Sequence, residues 1–159
     1  VGTRLKKLDT EQYHALILAA AGLERLNLDT RIQETLPEHI MLPAPGQGAL
    51  GIECRTDDTA LRALLAPLHD TDTARTVEAE RLVNKTLGGS CHTPIAIYCR
   101  PSAKNQLTLD ALVASPDGKI IIKDTQTGPP HHALQLADAA VQTLQNKGAL
   151  ELLKKNHTS

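Results

Sequence analysis

The sequence predicts two fold classes in succession: an α/β lobe holding part of a parallel sheet, then a small α+β domain in which three antiparallel strands pack with helices. Three observations carry this. Residues 13–22, YHALILAAAG, are a near-continuous apolar run, the pattern of a strand buried on both faces. Leu107, Leu109, Ala111 and Val113 alternate ahead of an SPDG turn and a second short apolar run, the pattern of an antiparallel pair. After Pro129 and Pro130, Ala133, Leu136, Ala137, Ala140, Val141 and Leu144 recur at three- and four-residue spacing, the period of an amphipathic helix.

Taken in order, residues 3–12 form a short amphipathic helix with Leu5 and Leu8 on one side and basic residues around them. The buried strand follows and Gly22 ends it; LERLNL, residues 23–28, adds one or two helical turns. Pro37, Pro43 and Pro45 then forbid regular helix, and GALGIECR, residues 48–55, reads as another strand. From Thr59 the pattern turns helical: TALRALLAPLH, then residues 72–87 with Asp72 as the N-cap. On that second helix Ala79, Leu82, Val83 and Leu87 share one face, while Glu78, Arg81 and Lys85 meet water. Gly88 and Gly89 stop it, and the three strands begin at PIAIYC. A lobe of roughly 50 residues with one fully buried strand is too small to cover that strand alone, so the first lobe is expected to be missing partners.

Composition narrows the function. Among 159 residues there is no Trp or Phe and only 2 Tyr, which excludes an aromatic platform for single-stranded nucleic acid. A net charge of -1 gives no global field toward nucleic acid or anionic lipid, and no apolar run reaches the roughly 20 residues that cross a bilayer. The expectation is no nucleic acid, no membrane and a cytoplasmic location. Cys54, Cys91 and Cys99 lack CxxC spacing, which suits neither a disulfide framework nor a zinc site, and no metal is expected. The chain starts at Val1 without an initiator Met, the expectation for a fragment or a processed piece.

Each motif has a bland reading beside its chemical one. GQGALG, residues 46–51, matches GxGxxG, but a proline-rich loop precedes it and a strand is expected after it, so it is read as a glycine-permitted bend where hinge motion occurs. His131 and His132 are assigned to solvent or packing, having no ligand spacing. Arg4, Lys6, Lys7 and Arg25 are either a solvated charge cluster or a converging anion site. Arg25 carries more weight than the lysines, since it follows Gly22 beyond a strand's C-terminal end, where α/β proteins bind ligands, and arginine holds carboxylates bidentately. Cys54 and Cys99 fall in expected strands as small buried hydrophobes. Cys91 sits in a loop beside Gly89 and Ser90, and the residues alone leave open whether it is reactive, covalently modified or inert.

VGTRLKKLD, ALILAAAGLERL, LPAPGQGALGIECR, EAERLVNKTLGGSCHTPIA and the SPDG hairpin occur in the order found in the hydroxymethylbilane synthases, also called porphobilinogen deaminases. The sequence resembles that family from Val1 to about Leu153. The resemblance implies a three-domain transferase of tetrapyrrole (haem) biosynthesis that joins four porphobilinogen molecules head to tail with release of ammonia. In its mechanism a porphobilinogen loses ammonia to give an azafulvene-like cation, which the free α-carbon of the bound chain attacks. It implies a dipyrromethane primer held by a thioether at Cys91, and Arg4 and Arg25 on the acetate and propionate groups of the pyrroles. Ala19 and Gly22 match positions near the cofactor rings, and Gln47 lies in the segment bordering the cleft.

Further implications concern the chain's extent. Residues 1–42 match the C-terminal half of domain 2, 43–70 the interdomain crossover and return to domain 1, and 71–159 domain 3 with the cofactor cysteine. The first lobe is then a periplasmic-binding-protein-like partial sheet. The family's N-terminal domain and its catalytic aspartate have no counterpart, so no catalytic residue is expected in this chain and it is expected to be inactive alone. His14 stands where many relatives have Asp, and GGSC where some have GGC. Expected partners are porphobilinogen, the growing oligopyrrole and the missing N-terminal part, in an enzyme that is monomeric when whole. The rival function is a non-catalytic anion-binding module of the same two-lobed architecture.

Overall fold

The computed structural model describes residues 1–90 and 93–156. By its internal contacts the chain divides into two units, Val1–Met41 and Leu42–Ser159.

In the first unit, helix α1 spans Gly2–Asp9 and buries Leu5, while its four charged residues stay in water. Helix α2 spans Ala20–Glu24 and buries Leu23; a 3₁₀ turn follows at Asp29–Arg31, where Arg31 pairs with Asp9 of α1. The strand expected over residues 13–22 does not form: residues 13–19 are irregular, and three alanines followed by Gly22 and Leu23 start a helix instead. The physical reason is that a strand's N–H and C=O groups need a ladder, and no neighbouring strand supplies one in this unit. Ile17 is left exposed as a result.

The second unit begins irregularly. Residues 48–55, also expected to be a strand, pair with nothing, leaving Leu50 98% exposed and Cys54 outside any sheet. Helix α3, Thr59–Leu65, is capped by Asp58, whose carboxylate accepts the Leu61 N–H at 3.0 Å, and Pro67 turns its continuation into a 3₁₀ turn at Ala66–Leu68. Helix α4, Thr71–Thr86, is capped by Asp70 rather than Asp72: the Asp70 carboxylate accepts the Thr73 N–H at 2.7 Å. Asp72 falls in the first turn, where it pairs with Arg75 at 2.9 Å and faces the positive end of the helix dipole.

Strands β1 (Ile95–Ser102), β2 (Gln106–Ala114) and β3 (Ile121–Gly128) form an antiparallel sheet in that order, as the alternation and the SPDG turn require. Cys99 lies opposite Leu109, and Leu109 opposite Gln126. Helix α5, Ala133–Asn146, buries the six residues that predicted it. Helix α6, Ala149–Asn156, was not expected; Ala149, Leu152 and Leu153 at three- and four-residue spacing bury it against the same core. The result is one aliphatic core between the inner sheet face and α4, α5 and α6, with Val83, Ile97, Leu109, Val113 and Leu144 fully buried. Every strand pairing among the described residues is antiparallel, so the α+β half of the expected fold is present here and the parallel-sheet half is not.

Candidate functional site

The candidate tether residue, Cys91, lies with His92 outside the described residues, but both flanks of the pair are defined. Helix α4 ends in a Schellman arrangement: the Gly88 N–H donates to the Lys85 carbonyl at 3.1 Å and the Gly89 N–H to the Asn84 carbonyl at 2.7 Å. Gly88 takes φ +72°, which suits glycine, and the Asn84 side chain lies over Gly89. A Cβ on Gly89 would stand 1.9 Å from Asn84 Oδ1 and 2.5 Å from its Cγ. On the far side, the Thr93 N–H donates to the Ser90 carbonyl at 3.1 Å, the Ser90 N–H to Thr93 Oγ1 at 3.0 Å, and the two hydroxyls lie 2.8 Å apart. Residues 91–92 are therefore bracketed between the end of a packed helix and the start of β1. Gly89→Ala is expected to turn the Asn84 side chain aside while the Gly89 N–H bond to the Asn84 carbonyl stays, so it lowers stability by no more than about 1 kcal/mol, which urea unfolding of the variant checks.

The other two thiols differ from each other. Cys99 is buried on β1, and burial, together with the neighbouring Glu80 carboxylate, pushes its thiol up to about 12. That sulfur stays protonated and inert at neutral pH. Cys54 is partly exposed in an irregular segment, not in a strand.

In the first unit, Arg4 lies on exposed α1 backbone and Arg25 forms the C-cap of α2, so it follows a helix and not the expected strand. Among the described residues neither guanidinium pairs with a carboxylate. The start of α1 lies against α2, since Val1 Cγ2 is 3.8 Å from where a Cβ on Gly22 would stand. Neighbouring helices thus carry Arg4 and Arg25, with exposed Ala19 at the N-cap of α2 and Gly22 within it. Lys7 is engaged elsewhere, its ammonium 5.7 Å from the centre of the Tyr13 ring. Both guanidiniums are exposed, and among the described residues no carboxylate engages either of them.

Gln47, in the second unit, is exposed in a turn closed by its N–H on the Ala44 carbonyl at 3.0 Å. Neither a strand before nor a helix after frames GQGALG, so the dinucleotide geometry is missing. His131 and His132 are exposed and touch each other edge to face at 4.2 Å, and among the described residues no cluster of three His, Cys, Asp or Glu forms. No helix among the described residues is long and apolar enough to cross a membrane.

Sequence reasoning missed Glu80. It is only 4% exposed, and its two oxygens accept the Cys99 N–H at 2.8 Å and the Gly46 N–H at 2.6 Å. Its position three before Val83 and seven before Leu87 placed it on the apolar stripe of α4, which was the available signal. Desolvation pushes its carboxyl above the usual range, against the pull of the two N–H donors. The folded chain therefore keeps this proton over a window in which the unfolded chain has lost it. Stability from Glu80 is full below the ordinary carboxylate value and is lost as pH rises through the raised one. Glu80→Gln removes that dependence, so wild type is expected to gain melting temperature relative to the variant as pH falls through the raised value toward the ordinary carboxylate value.

Two family models match the chain. Residues 1–63 match "Porphobilinogen deaminase, dipyromethane cofactor binding domain", and residues 74–146 match "Porphobilinogen deaminase, C-terminal domain". Among curated proteins, the porphobilinogen deaminase of Legionella pneumophila (strain Lens) is 48% identical over 153 residues, which are 96% of this chain and 50% of that protein. The chain thus spans about half the length of the curated relative it matches.

Proposed function

The chain belongs to the porphobilinogen deaminase family, and from that premise we propose that it is the cofactor-carrying part of an enzyme that polymerises four porphobilinogen molecules into hydroxymethylbilane. The observation that carries this is the pair of matches in one chain: 1–63 contains Arg4, Ala19, Gly22, Arg25 and Gln47, and 74–146 contains Cys91.

In this reading Cys91 holds dipyrromethane through a thioether, a bond stable to hydrolysis. When bound, that group supplies a free pyrrole α-carbon as the starting nucleophile. The chain's own residues bind and orient. Arg4 and Arg25 neutralise pyrrole carboxylates from adjacent helices, and their freedom from internal carboxylates leaves both guanidiniums available. Ala19 and Gly22 are small enough to let flat rings approach α2, and Gln47 offers an amide at the border of the cleft. The bracket from Gly88 to Thr93 fixes the two ends of the tether while the growing chain advances. The acid/base carboxylate is supplied from elsewhere in the enzyme, so we propose that these 159 residues alone do not turn over.

The domain reading follows from the same premise. Residues 1–42 are the second half of domain 2, 43–70 cross back to domain 1 and 71–159 are domain 3. Residues 13–22 and 48–55 then become strands of a periplasmic-binding-protein-like sheet once their neighbours are present; their apolar composition and missing ladders support this. A monomeric enzyme and a cytoplasmic location complete the proposal, the latter resting on cysteines without disulfide spacing. The family matches do not favour the anion-binding module.

The full-length gene product incubated with porphobilinogen is expected to release ammonia and to form a product that colours with aldehyde reagents, and the 159-residue chain is expected to release none. A full-length protein that binds porphobilinogen without releasing ammonia would favour the binding module instead.

A further inference from the structure

We infer that Glu80 is a positioning residue that locks segment 44–49, and with it Gln47, onto the edge of strand β1, so that this segment moves with the tether-bearing domain. Strand β1 is an outer strand of the sheet, and the Cys99 N–H that faces away from β2 is taken by Glu80 Oε1 at 2.8 Å. Blunting that edge needs one oxygen. The other, Oε2, takes the Gly46 N–H at 2.6 Å, the shorter of the two bonds, from a segment 34 residues away in sequence.

Gly46 is seated at a second point. It has φ +71°, and the position of a Cβ on it lies 3.9 Å from Val77 Cγ1, one turn before Glu80 on α4. Among the described residues no cation pairs with Glu80, so the two N–H groups alone compensate its burial. Gly48 contrasts with this: it has φ +88°, and nothing lies within 4 Å of its would-be Cβ. The bend read from GQGALG is therefore divided. Gly46 to Ala49 belong to the held side, the Ala49 N–H closing on the Gly46 carbonyl at 3.2 Å, and among the described residues no further backbone bond holds the stretch from Leu50 to Cys54.

A carboxylate does this better than a neutral side chain because it offers two acceptors and no donor. Glutamine at position 80 would turn an N–H₂ toward one of the two amides and lose that bond.

The test is nuclear magnetic resonance on the 159-residue chain, and it needs no activity. The consequence for the cleft rests on the proposed function, but the amide measurement stands whether or not that reading does. In the wild type, a through-bond coupling from Gly46 nitrogen to the Glu80 carboxyl carbon is expected, with backbone order parameters of about 0.85 from Gly46 to Ala49 and lower values from Leu50 onward. In Glu80→Gln, Gly46 exchange is expected to quicken by about tenfold or more, while Leu109 and Leu144 amides keep their protection. Absence of the coupling in the wild type overturns the inference. So does a variant in which Gly46 stays equally protected, or in which all amides loosen together. Should the variant not fold, the wild-type coupling and order parameters decide alone.

Discussion

Cys91→Ser in the full-length protein is expected to remove a covalent adduct and, with it, all turnover. A thioether needs sulfur, and a serine hydroxyl ionises too weakly near neutral pH to replace a thiol as the attacking group. The three cysteines are not interchangeable candidates. Cys99 is buried behind α4 beside Glu80, and its thiol, pushed up to about 12, offers almost no thiolate. Cys54 lies in an irregular stretch whose next residue, Arg55, pairs with Asp58 at 3.2 Å, whereas Cys91 lies outside the described residues, between the Schellman end of α4 and the Ser90–Thr93 bonds. Intact mass after acid treatment decides the matter. Wild type and Cys99→Ala should both carry the added mass of a dipyrromethane, and Cys91→Ser should not. An active enzyme with an unmodified Cys91 would sink the assignment.

The contrast between the two halves of the chain explains what could be read from sequence. Leu107 to Val113 and Ala133 to Leu144 obeyed their periods because both faces of the argument, pattern and partner, lie within the second unit. Residues 13–22 and 48–55 carry strand composition just as plainly, yet local composition cannot close a ladder whose neighbouring strand is missing. The Asp70 cap was misread by two residues because Asp70 and Asp72 present the same side chain two positions apart, and only the Thr73 N–H distinguishes them. Arg4, Arg25 and Cys91 are proposed on the family resemblance of the blocks around them, since nothing in local periodicity marks an arginine as a ligand rather than a solvated charge. Glu80 escaped both routes. A charged residue on an apolar stripe is legible, but which amides it serves depends on a loop 34 residues away.

Leu109→Ala is expected to cost the 159-residue chain about 2–5 kcal/mol, the largest stability loss of any single truncation here. Leu109 is fully buried on the central strand, between Cys99 and Gln126, under α5. Against a total of roughly 5–15 kcal/mol for a domain, that lowers the melting temperature by roughly 10 °C or more. The informative control is Leu64→Ala. Leu61, Leu64 and Leu68 form a stripe along α3 and its 3₁₀ extension, yet Leu64 is 75% exposed, so the same truncation should change the 159-residue chain by no more than about 0.5 kcal/mol. In the full-length protein, where residues 43–70 are proposed to return to domain 1, that substitution should cost a further ~1–3 kcal/mol, the worth of a leucine taken out of water. Urea unfolding of both variants in both lengths measures the four values. An equal, small effect of Leu64→Ala in each would mean that α3 stays in water throughout, and residues 43–70 would then have to belong to the C-terminal unit alone.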